Sequence, residues 1–199
     1  MTPYEIVIET AVVYLAPVGE SFPEIQATPA GNWAALGTNS ERNYAEAGVK
    51  ISHSQTIKEH RNAGSTGPIK AVRTEEGLKI SLELEDMSAE TYAKVMNFQT
   101  LVDTAADADT GGYRSVTLRS GETVATKAML IRLPSAYGDS WNAQYEFPVV
   151  YQSGNPEPVF KKDAPASLAV EFTVLEDPNA ATAAARFGHY RVQDASATG

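Results

Sequence analysis

Hydrophobic and polar positions alternate most regularly between residues 48 and 86, where two strand-like segments flank the loop Arg61-Asn62-Ala63-Gly64-Ser65-Thr66-Gly67-Pro68. On the returning segment Leu78, Ile80, Leu82 and Leu84 alternate with Lys79, Ser81, Glu83 and Glu85. A period of two gives one apolar face and one wet face. Each arm runs to roughly 12–18 residues, well beyond the usual strand of about 5 or 6. A hairpin of that length does not hold alone, so it must lie in a larger sheet, part of which is expected from other copies of the chain. The pattern points to an assembly subunit rather than to an enzyme.

The remaining pattern is mainly β. Residues 5 to 15 are rich in β-branched side chains and predict a strand ended by Pro17 and Gly19. Residues 20 to 47 read as a loop-rich segment anchored by Phe22, Trp33 and Leu36, with a short strand near Trp33 to Thr38. Glu75-Glu76-Gly77 is a second turn signal. Ser88 to Phe98 predicts the clearest helix, with Ser88 as cap, Glu90 complementing the helix dipole, and Tyr92, Val95, Met96 and Phe98 on one apolar side. That side is expected to cover the apolar face of the sheet. Strands follow at 114–118, 126–133 and 144–151, the last two joined by residues 134–140, with Pro148 marking an edge or a bulge. Residues 152 to 166 read as an extended linker, and 167 to 175 as the final strand. Asp177-Pro178 predicts an N-cap and the first turn of a short helix reaching Arg186, closed by Gly188. The strands are not separated by regular helices, which argues against a doubly wound parallel sheet.

Composition narrows the function classes. The 199 residues suit one domain with a real core, and a hydrophobic fraction of 43% argues against wholesale disorder. No run of about 18 apolar residues predicts a membrane segment. Met1-Thr2-Pro3-Tyr4-Glu5 lacks a basic region followed by an apolar stretch, so no secretory signal is expected. Without cysteine there is no disulfide, thiolate zinc site or cysteine nucleophile. A formal net charge of −9 argues against tight binding to a phosphate backbone. It fits either simple solubility or a surface that stays near nucleic acid without sticking to it.

Catalytic patterns are missing. No glycine-rich phosphate loop or G-x-S-x-G elbow occurs, and Gly64-Ser65-Thr66-Gly67 is spaced as a polar turn. His53 and His60 are seven apart, which puts them on opposite faces of one uninterrupted strand. Asp103, Asp107 and Asp109 resemble a calcium loop only in composition, because the terminal glutamate and flanking helices of that motif are not evident. Glu83 and Glu85 would stand about 7 Å apart on one strand face, yet the surrounding charges read as a solvated surface. No catalytic, cofactor-binding or metal residue is assigned.

Residues 61 to 78, followed by the amphipathic strand and Tyr92-Ala93-Lys94, resemble the tail tube (major tail) proteins of long-tailed bacteriophages, strongly over about a quarter of the chain. The resemblance implies a single tail tube domain over residues 1–199, a mainly β, sandwich- or barrel-like fold with a long hairpin and one flanking helix. It implies six copies in a ring with a continuous inner barrel, and rings stacked into a tube that conducts DNA without binding it specifically. Partners would be further copies of the chain and other tail proteins such as the tape measure, tail tip and terminator. The location implied is the virion tail, after assembly in the host cytoplasm.

Carried onto this sequence, Lys79, Ser81, Glu83 and Glu85 become candidates for the lumen, with Lys79 paired to Glu59 or Glu83. Leu78, Ile80, Leu82 and Leu84 would pack with Tyr92, Val95 and Met96 between sheet and helix. Arg61, Asn62, Ala63, Gly64, Ser65, Thr66, Gly67 and Pro68 would meet the next ring, and residues 1–4 and 189–199 would be arms. Alternatives are another phage-derived ring or tube component, such as a tail terminator or secretion-tube subunit, and a soluble β-sandwich binding domain.

Overall fold

A computed structural model of the chain describes residue 7, residues 10–37, residue 39, and residues 43–138 and 140–196. The arm expected at residues 1–4 lies outside these, as do residues 5, 6, 8 and 9 of the first expected strand. Thr38, Asp139 and residues 197–199 are outside them too.

The fold is mainly β with one α-helix. Among the described residues the strands are β1 (Val12–Ala16), β2 (Ala34–Ala35), β3 (Lys50–His60), β4 (Lys70–Leu84), β5 (Val102–Thr104) and β6 (Tyr113–Ser115). After the helix α1 (Ala89–Val95) and that β5–β6 pair come β7 (Thr126–Pro134), β8 (Asn142–Gln152), β9 (Pro158–Val159), β10 (Ser167–Val174) and β11 (His189–Val192). Nine of them form one antiparallel sheet in the order β2-β1-β7-β8-β10-β4-β3, with β11 added to β8 and β9 to β10. β5 and β6 form a separate ribbon.

One continuous core lies between the two halves of the sheet. Alternation on β4 sends Leu78, Ile80, Leu82 and Leu84 inward, as the sequence pattern requires. They meet Leu168, Val170, Phe172 and Val174 of β10, Phe147 and Val150 of β8, Met129 and Ile131 of β7, and Val13 and Leu15 of β1. Contacts between these two sets of strands require the sheet to curl over itself. A smaller cluster of Ala16, Trp33, Ala128 and Leu130, with Tyr14 and Phe22, packs on the opposite face of β1 and β7. There the ring centroids of Phe22 and Trp33 lie 5.2 Å apart. The anchors of the loop-rich segment therefore hold it against the outside of the sheet.

The helix begins where expected and ends early. The Ser88 hydroxyl accepts from the Thr91 amide at 3.2 Å, and Asp86 accepts from both the Ser88 amide and the Thr91 hydroxyl. Val95 is fully buried in the core, with Tyr92 and Phe98 packed against it, whereas Met96 is only half-buried. Asn97 and Phe98 turn left-handed at φ 56° and 54°, which ends the helix before Phe98. Asn97 tolerates this conformation better than most residues. Its side chain also bonds the Ser120 and Thr123 carbonyls and the Ala125 amide.

Other expectations need correction. Glu75-Glu76-Gly77 makes no turn, since pairing with Thr56, Gln55 and Ser54 keeps it inside β4. A Cβ on Gly77 would lie 2.9 Å from the Ser54 hydroxyl oxygen, so glycine answers a close approach there. The polar loop from residue 103 begins within β5, which pairs with β6. The linker contains β9, and the helix after Pro178 is reduced to a short 3-10 turn at Ala183–Ala185. In that stretch Asp177 caps only the Asn179 amide, while its own amide bonds the Arg186 carbonyl and closes a loop. Within the segment read as a C-terminal arm, His189–Val192 is a strand on β8. At Pro148 the β7–β8 register shifts, so the ring sits in a bulge, between the stretches of β8 that pair with β11 and β10.

Replacing fully buried Ile80 by Ala should cost about 2–5 kcal/mol, measured by urea unfolding. A loss under about 1 kcal/mol would mean that β4 does not anchor the core.

Candidate assembly interface

The β3–β4 hairpin divides into a buried base and an exposed blade. Near the base, Ile51 faces Ile80 against the core, and His53 stands opposite Leu78. From residue 53 to residue 76 both strands are exposed. Among the described residues β3 is the end of the sheet and β10 flanks β4 only from Lys79 to Leu84, so neither edge of this blade has a strand beside it. Unpaired strand edges are natural sites for pairing with another chain.

Polar cross-strand contacts hold the blade. The Thr56 hydroxyl donates to Glu75 at 2.9 Å, and the Arg73 guanidinium donates to Gln55 at 3.0 Å. The register shifts between Thr56 and Ile57, opposite Thr74, whose hydroxyl donates to the Thr56 carbonyl at 3.2 Å. Such a bulge adds twist and turns the distal arm. At the tip, the Ile69 amide donates to the His60 carbonyl, and Ser65 donates to the Gly67 carbonyl. Arg61 closes the loop by reaching the Thr66 carbonyl and Glu59. Residues 61 to 68 thus form an ordered, solvent-exposed turn at the far end of β4.

The second surface is the outer face of β10, β4 and β3. Lys79, Ser81 and Glu83 project here, opposite the buried leucines, beside Thr173, Glu171 and Ala169 of β10. Ser52 and Lys50 of β3 continue the row. A groove of about 420 Å³ follows this face past Lys50, Ser81, Glu83 and Glu171. Glu85 lies one residue beyond the end of β4, exposed, where its amide bonds the Asn43 carbonyl. Lys79 pairs with Glu171 at 2.9 Å rather than with Glu59 or Glu83. The partner comes from β10, which only the strand order could supply. The Lys79 hydrogen bond holds the Glu171 carboxyl below its ordinary range, with partial desolvation opposing it and Ser153 assisting.

His53 and His60 fall on opposite faces of β3, as spacing requires. Among the described residues no group of three His, Asp or Glu side chains could hold a metal ion. Asp107 binds its own loop instead, accepting from the Asp109 and Thr110 amides, which lower its pKa.

A buried polar cluster escaped sequence reading. Gln144 and Glu146 point to the outer side of β8, yet the loop between Pro17 and Trp33 and strand β11 bury them to 0% and 2% exposure. Gln144 donates to Glu146 at 2.5 Å and to the Pro23 carbonyl at 3.1 Å. Glu146 pairs with Arg191 of β11 at 3.1 Å. Arg132 donates to the Ile25 carbonyl at 2.6 Å, and burial lowers its pKa, with Tyr14 and Glu146 opposing. The cluster clasps both the N-terminal loop and the C-terminal strand to the sheet. Gly188 seals it at φ 99°, because a Cβ there would sit 1.7 Å from the Glu146 carbonyl oxygen.

No protein-family model matches the chain, and no curated protein matches it by sequence. Among solved structures, a chain of the six-fold symmetrised cryo-EM structure of the anti-feeding prophage (AFP) baseplate matches with a TM-score of 0.50. The match covers 97% of both chains at 9% identity. The likeness is one of fold. It extends over nearly the whole chain.

Lys79→Ala should raise the Glu171 titration toward the ordinary carboxylate value of about 4.3, followed by NMR. Because the folded pKa is depressed, the stabilisation from this pair is present above the unfolded value and fades as pH falls through the folded one. An unmoved titration would uncouple the two residues.

Proposed function

We propose that the chain is a non-enzymatic tail tube subunit that forms hexameric rings, stacked into a conduit for DNA. The observation that carries this reading is the blade: a long hairpin exposed on both arms, with both edges open and that of β3 outermost, on a sheet whose core is already filled. Pairing that edge with a neighbouring copy would remove it and build a sheet continuous across subunits. The fold shared with a chain of a six-fold symmetrised prophage baseplate supports a ring-forming role. A net charge of −9 supports passage of DNA without adhesion.

In this reading Lys79, Ser81 and Glu83, with Glu171, contribute to the inner wall, and Glu85 lies just past the strand that forms it. The loop from Arg61 to Pro68 reaches the next ring. Tape measure, tail tip and terminator proteins would be the remaining partners, in a virion tail assembled in the host cytoplasm. A baseplate ring is the second reading, favoured by the likeness in fold to a chain of the prophage baseplate.

Negative-stain imaging of concentrated protein should show rings or tubes with a central hole. Extended tubes would select the first reading, isolated rings the second, and a monomer at every concentration, even with tail-initiating components, would reject both. Deleting Gly64 to Gly67 should stop stacking while leaving the fold intact by circular dichroism. Tubes of normal length from that variant would remove the loop from the ring contact. Glu83→Lys with Glu85→Lys should slow DNA passage by attracting phosphate, and unchanged infectivity would place both residues away from the bore.

A further inference from the structure

The two ends of β4 carry complementary surfaces. β4 rises about 3.4 Å per residue, so its 15 residues separate the tip loop from the α1 end by about 50 Å. At the tip, residues 57 to 73 hold Lys58, Arg61, Lys70 and Arg73 against the single acid Glu59, a net +3 in a chain of net −9. Arg61 and Arg73 have acidic partners in Glu59 and Glu76, whereas Lys58 and Lys70 make no ion pair among the described residues. Around these charges Ile57, Ile69 and Val72 are each about half exposed.

The opposite end carries the inverse pattern. α1 begins five residues after β4 ends, and Arg114 pairs with both Glu90 of α1 and Asp103 of β5, tying the ribbon to the helix. This end displays Val102, Tyr113, Leu118 and Val124, exposed by 53–70%. The segment from residue 102 to residue 124 that bears them carries Asp103, Asp107, Asp109 and Glu122 against Arg114 and Arg119, a net −2. Seven of the thirteen large hydrophobic side chains exposed among the described residues lie at these two ends. Exposed apolar groups with charged surroundings mark interaction surfaces, and opposite charge on the two ends selects the pairing.

We infer that the basic tip of the hairpin docks on the acidic β5–β6 end of a second copy, head to tail, through an apolar centre ringed by opposite charges. A contact between two different patches of one chain propagates without self-limiting, as stacking along an axis requires. The inference rests on the tube reading and adds the partner surface and the force that selects it. The tip cannot dock equally well on another tip, because like charges would then face each other.

The test uses the full chain with charges reversed at either end. Lys58→Glu with Lys70→Glu reverses the tip, and Asp109→Lys with Glu122→Lys reverses the ribbon end; none of these side chains makes an ion pair among the described residues. Each double variant should fold, as judged by circular dichroism, but fail to stack by light scattering and negative stain. Mixing the two should restore stacks in which the variants alternate, because each tip then meets a ribbon end of opposite charge, and the four-substitution chain should stack again. For the unaltered chain, raising NaCl from about 0.05 M to about 0.5 M should increase the critical concentration roughly tenfold.

Normal stacking of the tip-reversed variant, or failure of the four-substitution chain to regain it, would overturn the docking inference while tubes of the unaltered chain kept the tube reading intact. If the unaltered chain forms neither rings nor tubes, the tube reading fails first and the docking inference with it.

Discussion

Strand β4 must satisfy two environments at once, and the rest of the architecture follows from that constraint. In its last seven residues β10 pairs Lys79 to Leu84, β3 reaches as far as Ser81, and four large aliphatic side chains lie in the core. Burial of each such side chain is worth about 1.5–3 kcal/mol before entropy is charged against it. Its first eight residues are paired only by β3 and bury almost nothing. The cross-strand contacts there contribute about 0.2–1 kcal/mol each. The base therefore anchors the blade, and the blade adds little to the stability of the subunit. An element that orders some twenty-five residues for so little internal gain is explained better by contacts made after folding.

The other side of the sheet solves a different problem. Curling the sheet leaves the outer faces of β7 and β8 partly apolar at Ala128 and Leu130, and partly polar at Arg132, Gln144 and Glu146. Phe22 and Trp33 cover the apolar part. Loop carbonyls from Pro23 and Ile25, together with Arg191, partner much of the polar part, while Arg132 Nε and Gln144 Oε1 stay buried without a hydrogen-bond partner among the described residues. A buried carboxylate without Arg191 would be strongly destabilising, so β11 is held by charge as well as by its ladder to β8. The two chain ends are thereby fastened to one patch of sheet, far in sequence but adjacent in space.

Local chemistry made much of this readable in advance. Period-two alternation identified the inward leucines of β4, because a strand has only two faces. Ser88 marked the helix start, because its hydroxyl is well suited to meet a free amide three residues on. Pro148 signalled the bulge in β8, since it cannot supply a ladder hydrogen bond. The helix end at Asn97 was harder to see: its left-handed backbone is held by carbonyls from residues 120 and 123, distant in sequence. β11 was harder still, because His189, Tyr190 and Arg191 are exposed and show no alternation of apolar residues.

The amino-acid order alone set the strand periodicity, the length of the hairpin, the acidic balance and the absence of cysteine, of a G-x-S-x-G elbow and of a glycine-rich phosphate loop. Those properties depend on neighbours in the chain and on composition, so they survive without a fold. Which charge meets which was settled only in three dimensions. Lys79 chose Glu171 because β10 lies beside β4, and Glu146 became buried because residues from both ends of the chain close over it. Strand order and long-range packing make those choices, and alternation of side chains is blind to both.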